Sequence, residues 1–266
     1  MLYTKKLMNV LADRFAFVLF KPKAPGNIGA AARALKNMGW NDLRLVATER
    51  LNKRAAHTMA VHARDVLDGA GIFPDLKSAV EDCGLVVGTT CRPGPYRRIA
   101  KPVRDAAPEL AALSSTNRVA IIFGPEDFGL TNRELKLCDR LLTIPAAPDY
   151  LSLNLAQAVM VVAYELMIAA GAPIDTNRAS DLPALAPAAE VDAMLARMTE
   201  ALLAIGFLPG DNPDHIMFAV RAMLGRSGVT PRECDILNGI ARQIRWFATG
   251  GRETIDSKRR TGKKIR

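Results

Sequence analysis

Short apolar runs that alternate with helix-like stretches restrict the fold of this sequence more than any other feature. Each run is five or six residues long, and the runs are Phe15–Phe20, Leu43–Ala47, Leu85–Thr89, Arg118–Phe123 and Arg140–Ile144. Runs this short and this continuously apolar are typical of strands buried on both faces. Strands separated by helices predict an α/β fold with an open, mostly parallel sheet, which binds its ligands at the carboxyl ends of the strands.

Helix start and stop signals lie between these runs. In NIGAAARALKNMG, apolar residues recur at helical spacing from Ile28 to Met38, and Gly39 follows as a predicted C-terminal cap. In TNRELKLCD, Thr131 precedes Glu134 by three residues, which is the spacing of a capping box. Both segments are therefore predicted to be helices.

The composition of the chain changes after Ala170. We predict a main domain over residues 1–170, a linker rich in proline and alanine over 171–190, a small helical extension over 191–250 and a basic tail over 251–266. Two cap signals support the extension: Asn212 before Pro213, and Thr230 three residues before Glu233. The extension is thus expected to follow the main domain as a separate group of helices.

The charge balance is basic, with a net charge of +9 and a pI of about 9.6. From Arg252 to Arg266 there are seven Lys or Arg residues against two Asp or Glu residues. A basic excess favours polyanionic partners such as nucleic acid or an anionic membrane. A solvated tail is the alternative, and the two interpretations are compatible because basic arms often bind nucleic acid.

Cysteine and histidine usage gives no sign of a metal site. The four cysteines are scattered without a CxxC pair, and with the three histidines they form no metal-ligand spacing. The first twenty residues contain one apolar run, too short to cross a bilayer, and no cleavage-like pattern. We therefore expect a reduced, cytoplasmic protein with no metal and no membrane partner.

The usual nucleotide-binding fingerprints are not met. No GxGxxG follows a predicted strand. GPEDFGLT, from Gly124 to Thr131, has the two outer glycines of a P-loop, but Leu130 stands where the lysine is required. These departures argue against a Rossmann dehydrogenase and against a P-loop ATPase.

Three loops that follow predicted strands carry polar residues with no clear structural need. Asn27 and Arg33 lie in the first, Glu126 in the second, and Ser152 and Asn154 in the third. Each has a structural alternative. The two asparagines are suited to N-cap a helix, the glutamate to face a helix N-terminus, and the arginine to a packing role.

The same three loops together resemble a known family. PGNIGAAARALKNMGW, IIFGPEDFGLTNREL and IPAAPDYLSLNLAQAVMVVAYEL resemble, in order and spacing, the three motifs of the SPOUT superfamily of RNA methyltransferases. More narrowly they are similar to the TrmH-like ribose 2′-O-methyltransferases, and within these to the TrmJ type that modifies tRNA. The resemblance covers Phe15 to about Ala169. It implies a sheet with a carboxyl-terminal trefoil knot, which sequence patterns cannot show and general rules of chain topology argue against. It also implies a homodimer whose active site is completed across the interface.

The resemblance also implies S-adenosylmethionine as the cofactor and assigns residues to it. The implied cofactor-binding residues are Thr89, Thr90, Cys91, Gly124, Glu126, Ile144, Pro145, Leu151, Ser152, Leu153 and Asn154. Arg33 matches the catalytic arginine of the family, with Asn27, Glu126, Ser152 and Asn154 positioning the reactants. Because a guanidinium stays protonated in proteins, we expect Arg33 to bind a phosphate or polarise the hydroxyl rather than act as a free base.

RNA contacts are predicted from the segment Cys91–Arg104, which carries five cations and one tyrosine. Cations for phosphates and an aromatic ring for stacking suit a single-stranded RNA loop. The predicted RNA-binding residues are Arg92, Tyr96, Arg97, Arg98 and Lys101. A solvated basic loop is the alternative interpretation.

The leading hypothesis is therefore a tRNA ribose 2′-O-methyltransferase that uses S-adenosylmethionine. By resemblance, its target is cytidine or uridine at position 32 of the anticodon loop. Two alternatives stay open: the same chemistry on ribosomal RNA, and a non-catalytic RNA-binding protein on the same fold. The presence of Asn27, Arg33, Glu126, Ser152 and Asn154 favours an enzyme.

Overall fold

The buried apolar runs form a single parallel sheet. The structure, a computed structural model, describes residues 13–48, 53–92, 94, 97, 99–171 and 183–251. Within these residues seven strands pair in the order β3-β2-β1-β6-β4-β7-β5, and every pairing is parallel. The strands are β1 (Phe15–Phe20), β2 (Asp42–Val46), β3 (Gly71–Phe73), β4 (Leu85–Thr89), β5 (Lys101–Pro102), β6 (Val119–Phe123) and β7 (Arg140–Thr143). The predicted α/β class and parallel sheet are confirmed, while the trefoil knot stays a prediction.

Helices connect the strands and continue beyond the last one. Those of the sheet domain are α1 (Pro25–Asn37), α2 (Lys53–Ala60), α3 (Arg64–Asp68), α4 (Leu76–Val80), α5 (Val103–Leu113), α6 (Asn132–Leu135) and α7 (Leu155–Gly171). Beyond the sheet domain lie α8 (Ala188–Ala204), α9 (Asp214–Ser227), α10 (Pro231–Trp246) and a final wide turn, Phe247–Gly251. In the described ranges, no helix combines the length and hydropathy needed to cross a membrane.

Helix α1 starts and stops where backbone chemistry dictates. Pro25 occupies its first turn, where the missing N–H costs nothing, and the N-cap is Ala24. At the other end Gly39 has a φ of 79° and its N–H donates to the Lys36 carbonyl, while the Trp40 N–H donates to the Leu35 carbonyl. This pair of bonds is a Schellman motif, so the predicted glycine cap is confirmed.

Trp40 fixes the helices to the sheet. Its side chain is 1% exposed, its ring packs edge-on against Phe15 at 5.1 Å, and its indole N–H donates to the Ala163 carbonyl at 3.0 Å. Burying an aromatic ring of this size together with a satisfied N–H stabilises the fold and orients its neighbours. The contact ties the end of α1 to β1 and to α7, and thereby holds two of the three motif segments in place.

A square of charges closes the amino-terminal edge of the sheet. Arg44 donates to Asp82 at 2.6 and 2.9 Å and to Asp42 at 3.0 and 3.1 Å. Arg118 donates to the same two carboxylates at 2.7 and 3.0 Å. Burial acts to lower the pKa of Arg44, but its hydrogen bonds to Asp82 and Asp42 outweigh this and raise the pKa. The hydrogen bonds from Arg44 lower the pKa of Asp82 to about 2.

The chain divides into two compact units between Ala188 and Ala189. In the second unit, the side chain of Thr230 accepts from the Glu233 N–H and the Glu233 carboxylate accepts from the Thr230 N–H, with Pro231 in the first turn. The capping boxes predicted here and at Thr131 are both confirmed. The N-cap predicted at Asn212 is wrong, because α9 begins one residue later, with Pro213 as its cap. Most of the predicted linker, residues 172–182, and the tail after Gly251 lie outside the described residues.

Candidate active site

A cleft of about 800 Å³ opens at the carboxyl ends of β4, β6 and β7. The three strands are neighbours in the sheet, so the loops that follow them meet at one edge. Nine of the residues predicted to bind the cofactor line this cleft: Thr89, Thr90, Cys91, Gly124, Glu126, Ile144, Leu151, Ser152 and Leu153. Pro145 and Asn154 were also predicted but are not among the lining residues.

Glu126 joins the second motif loop to the first. Its carboxylate accepts hydrogen bonds from the backbone N–H groups of Lys23 and Ala24, at 2.9 and 3.1 Å, and from the amide of Asn27 at 2.8 Å. Burial acts to raise the pKa of Glu126, but these hydrogen bonds outweigh it and lower the pKa below its ordinary value. The carboxylate is therefore held as an anion against the start of α1, where a helix N-terminus favours negative charge.

Asn154 extends this chain of hydrogen bonds to the third motif. Its amide donates to the Asn27 side-chain oxygen at 2.9 Å, and its own side-chain oxygen accepts from the Ala156 N–H at 2.9 Å. Asn154 is thus the N-cap of α7 and a partner of Asn27 at once. Asn27 itself lies inside α1, after the Ala24 cap, so its interpretation as an N-cap is wrong. Glu126, Asn27 and Asn154 form one relay that links all three motifs.

The glycines of the second motif permit a loop that folds back on itself. The Gly129 N–H donates to the Pro125 carbonyl at 2.9 Å, and Gly129 has a φ of 66°. A Cβ at Gly124 would lie 2.3 Å from the Gly129 backbone. Gly124 has no room for a side chain, and Gly129 has a backbone conformation that favours glycine. The packing of the loop against itself therefore explains both glycines.

Ser152 and Arg33 are the two predicted catalytic residues whose side chains make no hydrogen bond within the described residues. Ser152 lines the cleft and is exposed. Arg33 is exposed on α1, about 9 Å further along the helix axis than Asn27, and is not among the residues that line the cleft of its own chain. Neither side chain has a hydrogen-bond partner in the part of the chain that the structure describes. The structure therefore brings Asn27, Glu126, Ser152 and Asn154 to one edge, with Arg33 further along α1.

Three of the predicted RNA-binding residues can be placed. Arg92 and Arg97 line the cleft, where both donate to the loop after β6. Lys101 begins β5 at the edge of the sheet, with its ammonium 3.6 Å from the Glu109 carboxylate. Tyr96 and Arg98 lie outside the described residues.

Comparison with known proteins places the chain in a family. Residues 14–164, more than half of the chain, match the sequence model described as the SpoU rRNA Methylase family. The chain belongs to the SpoU methylase family. Residues 189–259 match a second model, the C-terminal domain of the tRNA methyltransferase TrmJ.

Relatives of this SpoU methylase match it over most of their length. A protein of Pseudomonas aeruginosa, named tRNA (cytidine/uridine/adenosine-2′-O-)-methyltransferase TrmJ, is 37% identical over 90% of this chain and 97% of its own. A Salmonella choleraesuis protein, named tRNA (cytidine/uridine-2′-O-)-methyltransferase TrmJ, is 35% identical over 88% of this chain and 97% of its own. The crystal structure of TrmJ from Z. mobilis ZM4 aligns with a TM-score of 0.73 and 32% identity, over 86% of this chain and 98% of that one. The similarity therefore extends through both units.

Part of the apolar wall of the SpoU methylase cleft was not predicted from the sequence. Phe123, Leu130 and Leu142 line it together with Phe128 and Leu155. The apolar lining residues that were predicted, Ile144, Leu151 and Leu153, came from the family resemblance, because polar residues are the ones that stand out in a loop. For two of the others, the available signal was their position at the carboxyl ends of strands. Phe123 is the last residue of β6, and Leu142 is the last but one of β7. In a parallel sheet such residues border the ligand site.

Proposed function

We propose that this protein transfers a methyl group from S-adenosylmethionine to a ribose 2′-hydroxyl of tRNA. The relay that joins Glu126, Asn27 and Asn154 carries the proposal, because it ties the first motif of a SpoU methylase to the second and third motifs, whose loops line the cleft. The names of the relatives from Pseudomonas aeruginosa and Salmonella choleraesuis supply the acceptor, a tRNA ribose.

The cleft suits S-adenosylmethionine by its chemistry. Its wall includes Phe123, Leu142, Ile144 and Leu153, an apolar surface of the kind an adenine ring packs against, and the polar edge is formed by Thr89, Thr90 and Ser152. When bound, the cofactor supplies a sulfonium methyl that is already activated for displacement. Within the described residues no three His, Cys, Asp or Glu side chains cluster as a metal site would require.

The chain's own contribution is to hold the reactants and to handle the hydroxyl proton. The relay fixes Glu126, which lines the cleft and is held by three hydrogen bonds, and Asn154 caps α7. Holding two reactants in line replaces a large entropic cost. Ser152, which has no hydrogen-bond partner among the described residues, can bind the cofactor or the ribose. Arg33, a permanent cation, binds the neighbouring phosphate or polarises the 2′-hydroxyl, whose proton then passes to that phosphate or to water as the methyl group is transferred.

Arg33 reaches a cleft when two copies of the chain associate. In one copy it lies well along α1 and outside the cleft, so a complete site needs a second source of this side chain. Helix α7, which packs against α1, exposes Tyr164 by 46% and Ile168 by 51%, one turn apart on the same face. An apolar stripe beside the arginine-bearing helix supports a homodimer in which Arg33 of each copy serves the other's cleft.

The preferred nucleoside is a finer question. By resemblance we propose cytidine or uridine at position 32 of the anticodon loop. The relative from Pseudomonas aeruginosa has adenosine in its name as well. Adenosine therefore belongs in the substrate panel beside the two pyrimidines.

The test is a transfer assay with labelled S-adenosylmethionine and, in parallel, unmodified tRNA and ribosomal RNA. We expect label in tRNA as a 2′-O-methyl group in the anticodon loop, for the native chain and not for Arg33→Ala. Variants of tRNA with C, U, A or G at the target position define the base preference. Label in ribosomal RNA alone would keep the chemistry and overturn the acceptor. Tight RNA binding with no transfer to either RNA would favour the non-catalytic alternative.

A further inference from the structure

Two arginines of the segment after β4 are bonded to the loop after β6. Arg92 Nη2 donates to the Asp127 carbonyl at 2.9 Å. Arg97 Nη2 donates to the Leu130 carbonyl at 3.1 Å, and its Nη1 donates to the Asn132 side-chain oxygen at 3.3 Å. Both arginines line the cleft. Between them they join the segment after β4 to the loop after β6, both of which line the cleft.

The surroundings of Arg97 suit an internal bond better than a phosphate contact. Its backbone N–H donates to the Gly94 carbonyl at 2.9 Å. A Cβ at Gly94 would lie 3.2 Å from Arg97 Nη1, so the glycine leaves room for the guanidinium to pass. The Nε atom of Arg97 is buried and has no partner in the described residues. Arg97 is half-buried, and both of its Nη atoms already donate to acceptors within the chain, which leaves fewer donors for a phosphate.

The loop after β6 has features that make the hydrogen bonds from Arg92 and Arg97 important for its conformation. Gly129 adopts a left-handed conformation and is the most permissive residue type, so the backbone at the end of the loop has little stiffness of its own. Leu130 is 3% exposed, and its side chain reaches to within 3.3 Å of the Cβ position of Gly88 in β4. The bond from Arg97 to the Leu130 carbonyl therefore fixes the point at which the loop returns to the sheet.

We propose that Arg92 and Arg97 are positioning residues of the cofactor cleft, which clasp the loop after β6 and preform the site before RNA arrives. The proposal rests on the proposed function for its ligand, S-adenosylmethionine. It replaces the prediction from sequence that these two cations contact RNA. A preorganised site binds its ligand more tightly because no free energy is lost in ordering its loops on binding. Loss of the clasp should weaken the cofactor complex in the absence of any RNA.

The test measures cofactor and RNA affinity separately. Calorimetry with S-adenosylhomocysteine, on the full chain without RNA, should give a Kd for Arg97→Ala that is raised roughly tenfold or more. Arg97→Lys keeps the charge but offers one ammonium in place of a fork, so its Kd should lie between the two. Arg92→Ala removes one bond and should have a smaller effect. The matched control is Arg133→Ala, an exposed arginine of α6 outside the cleft, whose Kd should stay within about twofold.

Hydrogen exchange of the Gly129 amide gives a second readout that needs no cofactor. This N–H donates within the loop to Pro125, and it should lose protection in Arg97→Ala but not in Arg133→Ala. If the native chain bound no cofactor, the proposed function would fail while the exchange result still decided whether the clasp exists. Unchanged S-adenosylhomocysteine affinity and unchanged exchange in Arg97→Ala, with a loss of tRNA affinity, would overturn the clasp and return Arg97 to RNA binding.

Discussion

Charged side chains pair with one another at the amino edge of the sheet, whereas polar side chains at its carboxyl edge are only partly paired, within the described residues. At the amino edge, Asp42 and Asp82 each meet both Arg44 and Arg118, so the four charges form a closed square. At the carboxyl edge, the side chains of Glu126, Asn27 and Asn154 are hydrogen-bonded in a chain. The nearby side chain of Ser152 has no hydrogen-bond partner in the described residues. A paired edge stabilises the fold, while an edge with open donors can bind a ligand. The contrast separates groups that hold the sheet from groups available to a substrate.

Breaking the square should have the largest effect, and it should fall on stability. Arg44→Ala leaves two carboxylates with half their partners and removes the donor to the Ala79 carbonyl. Because Arg44 is only 7% exposed, we expect a loss of about 3–5 kcal/mol in the free energy of unfolding. Urea unfolding measures it, with turnover per folded molecule unchanged. Lower cofactor affinity without lower stability would show that the two edges are not independent.

Removing Arg33 should have the opposite signature. The side chain is exposed and has no partner in the described residues, so Arg33→Ala should leave Tm within a degree or two. Turnover should fall by roughly 10²–10³-fold, as for loss of one donor that acts in the transition state. Steady-state kinetics beside a thermal melt checks both halves. A variant that unfolds early while keeping its turnover number would assign Arg33 to structure.

Asn154 serves both roles, so its variants sharpen the comparison. Asn154→Ala removes the N-cap of α7 and should cost about 1 kcal/mol of stability. Asn154→Asp keeps an oxygen for the Ala156 N–H but loses the donor to Asn27. We expect it to retain most of the stability and to bind S-adenosylhomocysteine several-fold more weakly. Equal stability loss in the two variants would show that the bond to Asn27, rather than the cap, carries the effect.

The smallest expected effect is a change in stability at acid pH. Hydrogen bonds from Arg44 lower the pKa of Asp82 from its ordinary value of 3.8 to about 2. A lowered folded-state pKa gives stability that is complete above the unfolded pKa and is lost as the pH falls through the folded one. Between about pH 4 and pH 2 the native chain should therefore lose stability more steeply than Asp82→Asn, and a series of urea titrations measures the two slopes. Parallel slopes would show that Asp82 does not contribute in this range.

The sequence was informative where a local pattern decides the structure. Continuous apolar runs predicted the central strands, and capping residues predicted α6 and α10. The edge strands β3 and β5 were missed because three and two residues are too few to show a pattern. Their place in the sheet depends on pairing with β2 and β7.

The site was less accessible to sequence analysis, because a side chain's partner depends on the fold. Asn27 was suited to cap α1, yet Ala24 holds that position and Asn27 bonds to Glu126 and Asn154. Arg92 and Arg97 were predicted to contact RNA from a count of cations, which stays a prediction, and that count could not show that both also donate to loop carbonyls. Charge counting identifies a cation but does not say which acceptor it will reach.

The measurement that tests the account most directly is a complementation assay between two inactive variants. The central claim is that methyl transfer takes place in the cleft at the carboxyl edge, with Arg33 supplied by a second copy. Arg33→Ala and Ser152→Ala, co-expressed with different tags and purified as the mixed species, share one intact site if Arg33 of one copy serves the other's cleft. We expect the mixed species to transfer methyl groups to tRNA well above either variant alone. Activity no higher than that of the separate variants, in a mixture shown to have exchanged chains, would contradict the account.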